Sequence, residues 1–470
     1  MAINTNRLSA LAFLALVAGV GDSHAQPVRA WRAPVDASIA GCYEAKAQAA
    51  LMDDGSLLVV CVANFSVSRY NNAPLWQRAR DGAWRIAAQP PTRTSRATGL
   101  RKLAGDTALV TWSDFVPEAP YIRTTLQVWN SGAGAAPAFQ IPSPPGEAGL
   151  DPLPDSWGLD ERAVRIRTSR VGEVPIPPGS PATPLASVIE LVDRAGQAIG
   201  PTLPIPGRAI RGVSAACQFP NGDRLIAITS FETKALPTPI PDIDVQAVFH
   251  RRGGGWEGPF SLFQVAGLLG QSSRAFCPAN GIAKIVSGFG APQKLYFADL
   301  AGGDGWRPVQ QLNSDDSAAD DKSSAAAVLY AQSNDGRAAV AWNDQQPSPA
   351  GFTGQPGHKS IPRVQWIDSG ARYFTFDFKM PRYDPDSPED TAVNAVAWDP
   401  KRERFIFVLT GGPGPSPRRA LAELSPAGSW SAATALPGPF LRGWQLDFNA
   451  AGDGVLLGQR HGQLLISDWR

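Results

Sequence analysis

A basic residue recurs at one position of a repeated unit in this chain, and residues of this type could bind an anion. The position lies just before the first strand predicted for each unit and is occupied by Arg96, Arg211, Arg274, Lys322 and Arg442, with Tyr43 in the first unit. Guanidinium groups that converge bind a carboxylate or a phosphate through paired, charge-assisted hydrogen bonds. The pattern therefore predicts an anion-binding site where the units meet. The alternative is a set of solvated charges that pair with nearby carboxylates such as Asp315 and Asp390.

Acidic residues supply the other candidate chemistry, because hydrolysis of a glycosidic bond uses two carboxyl groups at a defined separation. Several carboxylates fall in predicted loops, namely Asp114, Glu118, Asp242, Asp244, Asp344, Asp384 and Asp386. Their spacing matches no calcium-loop motif, and the chain contains no nucleophile elbow, phosphate loop, dinucleotide fingerprint, HExxH or CxxC sequence. Motifs alone therefore predict no catalytic residue, no metal site and no cofactor.

A repeat of tight turns reveals the elements that must position these residues. Eight turn signals recur along the chain, centred at Gly55, Gly105, Asp160, Gly222, Gly281, Gly336, Pro400 and Gly452. Each precedes a run rich in β-branched and aromatic residues, and Asn-Gly or Asp-Gly turns favour tight hairpins. Residues 43–52 have a helical composition but occupy a strand position of the repeat, so we predict a strand there.

This repeat predicts an all-β fold, a single β-propeller over residues 26–470 with eight four-stranded blades, seven blades being the alternative. The last unit ends one strand short. Residues 28–35 alternate apolar and polar side chains and have no partner of their own, so we expect them to pair with the C-terminal blade and close the ring. Tryptophans after turn glycines are expected to pack between blades; these are Trp84, Trp256, Trp306 and Trp430.

The loops also differ between the two faces of the predicted propeller. The connections between second and third strands are long and rich in proline, as at residues 64–74, 169–186 and 343–361, whereas the first connections are tight. Elaborated loops on a rigid frame are where binding usually occurs. We therefore predict a loop-rich binding face opposite a plain face of tight turns.

The ends and the charge of the chain indicate an exported protein. Residues 1–25 combine a basic residue, a short apolar run and a small-residue cleavage site, which is typical of a signal peptide. No run approaches the roughly 18 apolar residues of a membrane span. A net charge of +1 disfavours a nucleic-acid partner. The sequence thus predicts a periplasmic or secreted protein.

Four cysteines in an exported chain favour disulfides, with four buried free thiols as the alternative. Cys217 and Cys277 occupy nearly the same place in consecutive units, which would put them on neighbouring strands. We therefore predict a Cys217–Cys277 bond and, with the remaining pair, a Cys42–Cys61 bond.

The turn glycines before tryptophan, together with the arginines, resemble the sialidase or BNR-repeat class. The box of that class runs Ser-x-Asp-x-Gly-x-x-Trp, and the sequences Asp81-Gly82-Ala83-Trp84 and Asp304-Gly305-Trp306 keep its Asp, Gly and Trp at shorter spacing and without the Ser. The resemblance implies a propeller whose arginines, here Arg96, Arg211 and Arg274, bind the carboxylate of an acidic sugar, with Tyr43 in catalysis.

On balance the sequence favours an exported, non-catalytic binding or scaffold protein. Its loop-rich face would contact an anionic small molecule, a glycan or a protein. The alternative is a carbohydrate-active enzyme, a sialidase-like glycoside hydrolase or a lyase, that acts on acidic sugars. A pocket that unites two carboxylates with at least two of the arginines would favour the enzyme.

Overall fold

The protein is described by a computed structural model. The described residues are 30–37, 39, 46–62, 73–115, 122–142, 156–158, 160–170, 185–205, 208–232, 243–265, 272–278, 281–289, 294–301, 305–306, 310–312, 324–333, 335–347, 358–367, 377–379, 392–411, 418–436, 442–460 and 463–469. Within them the regular structure is β-strand, with no α-helix, so the all-β prediction is confirmed. No helix in this part of the chain is long and apolar enough to cross a bilayer.

The described strands form eight antiparallel sheets, numbered here in chain order. β1 (Val35–Asp36) joins the last sheet. Sheets 1 to 4 contain, in turn, β2 (Lys46–Leu51), β3 (Leu57–Val62), β4 (Leu75–Arg78) and β5 (Trp84–Ala88); β6 (Arg96–Ala104), β7 (Thr107–Phe115), β8 (Ile122–Asn130) and β9 (Gly134–Ala135); β10 (Ala163–Arg170), β11 (Leu185–Val192) and β12 (Leu203–Ile205); β13 (Arg208–Gln218), β14 (Arg224–Glu232), β15 (Ile243–His250) and β16 (Trp256–Val265).

Sheets 5 to 8 repeat the arrangement, and strands pair in chain order except in sheet 5, whose last two strands both pair with the third. They contain, in turn, β17 (Ser272–Phe276), β18 (Lys284–Phe289), β19 (Lys294–Ala301), β20 (Gly305–Trp306) and β21 (Gln310–Gln311); β22 (Ser324–Gln332), β23 (Ala338–Pro347), β24 (His358–Ile367) and β25 (Asp377–Lys379); β26 (Ala392–Asp399), β27 (Arg404–Gly411), β28 (Arg418–Leu424) and β29 (Thr434–Ala435); β30 (Arg442–Phe448), β31 (Gly454–Arg460) and β32 (Gln463–Trp469), followed by β1.

Tight turns join the first two strands of the four-stranded sheets 1, 2, 4, 6, 7 and 8 where the sequence predicts them; in sheet 3, of which three strands are described, the predicted turn precedes β10. In sheet 1 the Met52 N–H donates to the Ser56 carbonyl at 2.9 Å. The intervening Gly55 has a φ of +83°, in the left-handed region that glycine enters without a Cβ clash. The predicted strand at residues 43–52, whose composition is helical, contains β2, so the strand prediction is confirmed.

Among the described residues the core consists of eight apolar clusters, each lying between two successive sheets. β3 shows how one strand serves two of them: Leu57 and Val59 pack toward sheet 8, whereas Leu58 and Val60 pack toward sheet 2. This follows from the period-two alternation of side chains along a strand. A continuous run of apolar residues thus becomes a strand that is buried on both faces.

The tryptophans that follow turn glycines lie in these clusters, as predicted. Trp84 packs against the cluster between sheets 8 and 1, and Trp256 against that between sheets 3 and 4. Trp306 and Trp430 take the same place between sheets 4 and 5 and between sheets 6 and 7. Each ring therefore fills the seam between its own sheet and the preceding one.

The N-terminal segment pairs with the last strand of the chain, as the sequence predicts. Val35 lies opposite Ile466, and a β-bridge joins Trp31 to Trp469. The Ala37 N–H donates to the Leu464 carbonyl at 2.9 Å. The described pairing therefore covers Trp31 to Ala37, slightly later than the predicted residues 28–35, of which 28 and 29 lie outside the described residues.

The predicted disulfide between Cys217 and Cys277 is present and joins sheets 4 and 5, with a Cα–Cα distance of 5.8 Å. Cys61 is also disulfide-bonded. Its predicted partner Cys42 lies outside the described residues, as does the predicted signal peptide at 1–25.

Candidate functional site

A cavity of about 460 Å³ lies where the first strands of sheets 6, 7, 8, 1 and 2 end. Its walls are formed by Asp53, Lys102, Gly105, Tyr330, Ala331, Gln332, Val396, Ala397, Trp398, Pro400, Leu446, Asp447, Phe448, Asn449 and Ala450. The turn residues Gly105 and Ala450 are exposed. The cavity is therefore reached from the face of tight turns.

Asp447, on β30, is one of the two carboxyl groups that line this cavity. Its side chain is only partly exposed. The Leu51 N–H donates to Oδ2 at 2.8 Å, and the Phe448 N–H donates to Oδ1 at 2.9 Å. Burial raises the pKa of Asp447 to about 6, although the two backbone hydrogen bonds and the charge of Lys102 lower it. Half of the Asp447 population would thus be protonated near pH 6.

Asp53, in the turn of sheet 1, is the second carboxyl group of the cavity and lies in a different environment. Lys102 Nζ, from β6, donates to Asp53 Oδ1 at 2.6 Å and to the Leu51 carbonyl at 3.1 Å. The Ala450 N–H donates to the same Asp53 oxygen at 3.2 Å. One carboxylate is therefore ion-paired and held by two neighbouring sheets, while the other is desolvated.

The alternation of β30 explains why Asp447 has this position. Gln445 and Asp447 are two residues apart, so their side chains leave the same face of the strand. Gln445 both accepts from the Ala49 N–H at 2.8 Å and donates to the Ala49 carbonyl at 2.6 Å. These polar side chains bind the backbone of β2, and the bonds fix the orientation of the Asp447 carboxyl group.

Aromatic side chains complete the wall of the cavity. Tyr330, Trp398 and Phe448 all contribute to it. The guanidinium carbon of Arg274 lies 5.8 Å from the centre of the Tyr330 ring. Flat rings beside polar groups that fix orientation are a common composition of small-molecule sites.

The predicted basic residues are described only in part, so their convergence stays a prediction. Arg274 is exposed, and its Nη1 donates to the Ser273 carbonyl at 3.2 Å. Arg96 is partly buried at the start of β6. Arg211 and Arg442 lie in β13 and β30, but their side chains are outside the described part of the structure, as are the whole of Lys322 and Tyr43.

Two of the loop carboxylates considered from the sequence have other partners. Asp114 is buried and accepts from Thr92 Oγ1 at 2.7 Å. Asp244 is buried as well and accepts from Ser261 Oγ at 2.7 Å. Both therefore stabilise loop and strand structure locally.

Sequence reasoning missed Asp53, Lys102 and Asp447. The predicted loop-rich face lies largely outside the described residues, whereas this cavity lies at the opposite ends of the first strands. One signal was present: Gln445 and Asp447 alternate with the apolar residues Leu446 and Phe448 and put two polar side chains on one face of a first strand. Two polar side chains on one face of such a strand would have pointed to a polar site beside it.

The similarity of this chain to known proteins is distant. No family model matches the chain, and no curated protein matches it. Among solved structures, polysaccharide lyase Uly1 is similar with a TM-score of 0.45 and 10% identity, over 92% of this chain and 91% of that one. Prolyl oligopeptidase B from Galerina marginata gives a TM-score of 0.39 and 10% identity, over 90% of this chain and 56% of that one. An α-L-arabinanase from Penicillium chrysogenum gives 0.37 and 10%, over 93% and 98%.

These matches correct the expectation of a non-catalytic binding or scaffold protein. The similar structures are enzymes, and the lyase and the arabinanase are carbohydrate-active. The resemblance to the sialidase or BNR-repeat class is not confirmed, since no family model matches. The TM-scores of the lyase, the peptidase and the arabinanase all lie below 0.5, so a function for this chain has to be argued from its own cavity.

Proposed function

We propose that this chain is a carbohydrate-active enzyme that hydrolyses glycosidic bonds in the cavity between sheets 8, 1 and 2. The observation that carries the proposal is the pair of carboxyl groups in unlike environments, Asp447 desolvated and Asp53 ion-paired with Lys102. Two carboxyl groups whose surroundings separate their protonation states can act as acid and base at the same pH.

In the proposed reaction, protonated Asp447 donates its proton to the glycosidic oxygen while the bond from that oxygen to the anomeric carbon breaks. The Asp53 carboxylate stabilises the positive charge that develops on the sugar ring. Water adds its oxygen to the anomeric carbon, and its released proton returns to the carboxyl pair. A general acid of this kind contributes roughly a hundredfold or more to the rate, and its pKa should lie near the working pH.

Charge in the cavity favours a neutral sugar as substrate. Among the described residues that line the cavity, Lys102 is the only cation, and it is already engaged by Asp53. An anionic substrate would therefore lie beside two carboxyl groups, and the positive charge of Lys102 is already paired with Asp53. Tyr330 and Trp398 contribute aromatic surface to the cavity wall, against which a neutral pyranose or furanose could pack.

An acidic sugar is the second candidate substrate, and one contact favours it. Arg274 is exposed and lies beside Tyr330, a residue of the cavity wall. A carboxylate carried by a bound sugar could accept a charge-assisted hydrogen bond from its guanidinium group. This version keeps the predicted anion-binding role for Arg274. The role predicted for Arg96, Arg211, Lys322, Arg442 and Tyr43, before the first strands, is a separate proposal, because the cavity lies at the other ends of those strands.

A closed ring of eight blades is part of the proposal, as is export to the periplasm or beyond the cell. Support for the ring comes from the cluster that links sheet 8 to sheet 1 and from β1 beside β32. A ring would gather the first strands around one axis, which agrees with a single cavity touching five sheets. Support for export comes from the disulfide and from the predicted signal peptide at 1–25.

The test is a cleavage assay with residues 26–470 against panels of neutral and acidic polysaccharides. We expect new reducing ends from a neutral glycan, with activity that falls as the pH rises above about 6 because Asp447 loses its proton. Asp447→Asn and Asp53→Asn should each lower kcat/KM by roughly a hundredfold or more, with unchanged circular dichroism. Asp54→Asn, at the exposed neighbour of Asp53, is the matched control and should cleave as the parent does.

Two results would contradict the proposal. One is full activity in Asp447→Asn, and the other is no cleavage of any glycan by folded protein. Cleavage of acidic glycans alone, lost in Arg274→Ala, would select the second candidate substrate. Unsaturated products, which absorb in the ultraviolet, would indicate a lyase.

A further inference from the structure

Lys102 and Asp447 both form hydrogen bonds with the backbone of Leu51. Lys102 Nζ donates to the Leu51 carbonyl at 3.1 Å, and the Leu51 N–H donates to Asp447 Oδ2 at 2.8 Å. The same ammonium donates to Asp53 Oδ1 at 2.6 Å. The side chain of Lys102 is 27% exposed and that of Asp53 is 32% exposed, so neither is freely solvated. Lys102 therefore binds Asp53 directly and is linked to Asp447 through the backbone of Leu51.

We propose that Lys102 is the positioning residue of this site: its ammonium group binds the turn of sheet 1 to sheet 2 through Asp53 and the Leu51 carbonyl, and sets how readily Asp447 releases its proton. The catalytic consequence rests on the function proposed above. The electrostatic part concerns the folded protein alone and can be measured without a substrate.

Two opposing effects act on the protonation of Asp447. Burial favours the neutral form of Asp447, whereas the positive charge of Lys102 favours the ionised form. Asp53 is a nearby negative charge and acts in the same direction as burial. If the ammonium charge is removed while Asp53 remains, Asp447 should hold its proton to a higher pH.

The turns around Asp53 are held together by hydrogen bonds that do not involve Lys102, so replacing Lys102 should affect only its immediate surroundings. Ala450 from sheet 8 donates its N–H to Asp53, and the Asp54 N–H donates to Asp106 Oδ1 of sheet 2 at 2.8 Å. Asn449 Nδ2 donates to the Met52 carbonyl at 3.2 Å. Turns from three successive sheets are thus bonded to one another without Lys102. Replacement of Lys102 is therefore expected to change charge and the placement of Asp53 more than the fold.

The experiment is a titration of aspartate carboxyl carbons by NMR in residues 26–470, with Asp447→Asn used to assign the Asp447 signal. Lys102→Met keeps the length of the side chain and removes its charge. We expect it to move the titration midpoint of Asp447 upward by on the order of one pH unit. Lys102→Arg keeps the charge and should titrate close to the parent. Lys401→Met, an exposed lysine on the same face, is the control and should leave the midpoint unchanged.

The proposal is overturned if Asp447 titrates in Lys102→Met as it does in the parent. It is also overturned if Lys102→Arg shifts the midpoint as far as Lys102→Met, because the charge would then not be the cause. Should Lys102→Met fail to fold, Lys102→Gln provides the uncharged comparison. If glycan cleavage is found, the fall of kcat/KM at high pH should move with the NMR midpoint. If no glycan is cleaved, the titration still decides the role of Lys102 by itself.

Discussion

Replacement of Asp447 by Asn should change how the stability of the protein depends on pH. Burial raises the pKa of Asp447 from its ordinary value of 3.8 to about 6 in the folded chain. Because the pKa of Asp447 is higher in the folded chain than in the unfolded chain, the protonated form of Asp447 favours folding at acidic pH. That contribution is fully present below the unfolded pKa, is lost as the pH rises through about 6, and is gone at roughly pH 8.

The size of the effect follows from the two pKa values. A separation of about two pH units corresponds to about 3 kcal/mol, since one pH unit is about 1.4 kcal/mol. An asparagine side chain at this position would not titrate, and its Oδ1 can accept only one of the two N–H groups that Asp447 satisfies. Asp447→Asn should therefore be the less stable protein at pH 4 by about 1–3 kcal/mol. Relative to that of the parent, the unfolding free energy of the variant should rise by up to about 3 kcal/mol between pH 4 and pH 8.

The assay is equilibrium urea unfolding of both proteins at a series of pH values, followed by tryptophan fluorescence. The informative quantity is the difference in unfolding free energy between parent and variant, because other titrating groups cancel in it. Asp54→Asn, at an exposed turn position whose Oδ1 accepts from the Ser56 N–H, controls for loss of a carboxylate as such. A parent-minus-variant difference that is the same at pH 4 and pH 8 would refute the desolvation argument and would remove the physical basis for Asp447 as a proton donor.

Three further predictions concern the frame around the cavity. Deletion of residues 26–35 should leave the edge of β32 unpaired, lowering the melting temperature and promoting aggregation, whereas an unchanged melt with monomeric elution would count against the closed ring. Joint replacement of Cys217 and Cys277 by Ala should lower the unfolding free energy by about 2–4 kcal/mol in urea, and peptide mapping without reductant should recover the linked pair. Burial and the charges of Arg224 and Arg162 lower the pKa of His250, so the stability of the protein should fall as the pH drops through about 6.5. In thermal melts, the melting temperature of His250→Gln should fall less than that of the parent between pH 8 and pH 5, and an equal fall in both proteins would disprove this.

Most of the strand order could be predicted from the sequence because its signals are local. A turn glycine at position 55 followed by residues 57–62 specifies a hairpin without reference to the rest of the chain. The pairing of Cys217 with Cys277 came from equal positions in consecutive repeats, and the structure contains that bond. The place of Trp84 and Trp256 between sheets followed from the same repeat.

The sequence by itself thus determined the elements, their order and the faces that they bury, since hairpin turns and period-two alternation act over a few residues. The candidate site depended on tertiary structure. Asp53, Lys102 and Asp447 come from sheets 1, 2 and 8, and the Asp447 carboxyl group meets the Leu51 N–H from a position 396 residues away in the chain. Proton affinity in that cavity depends on burial and on the distances between charges, and both arise only when the first strands of different sheets pack side by side.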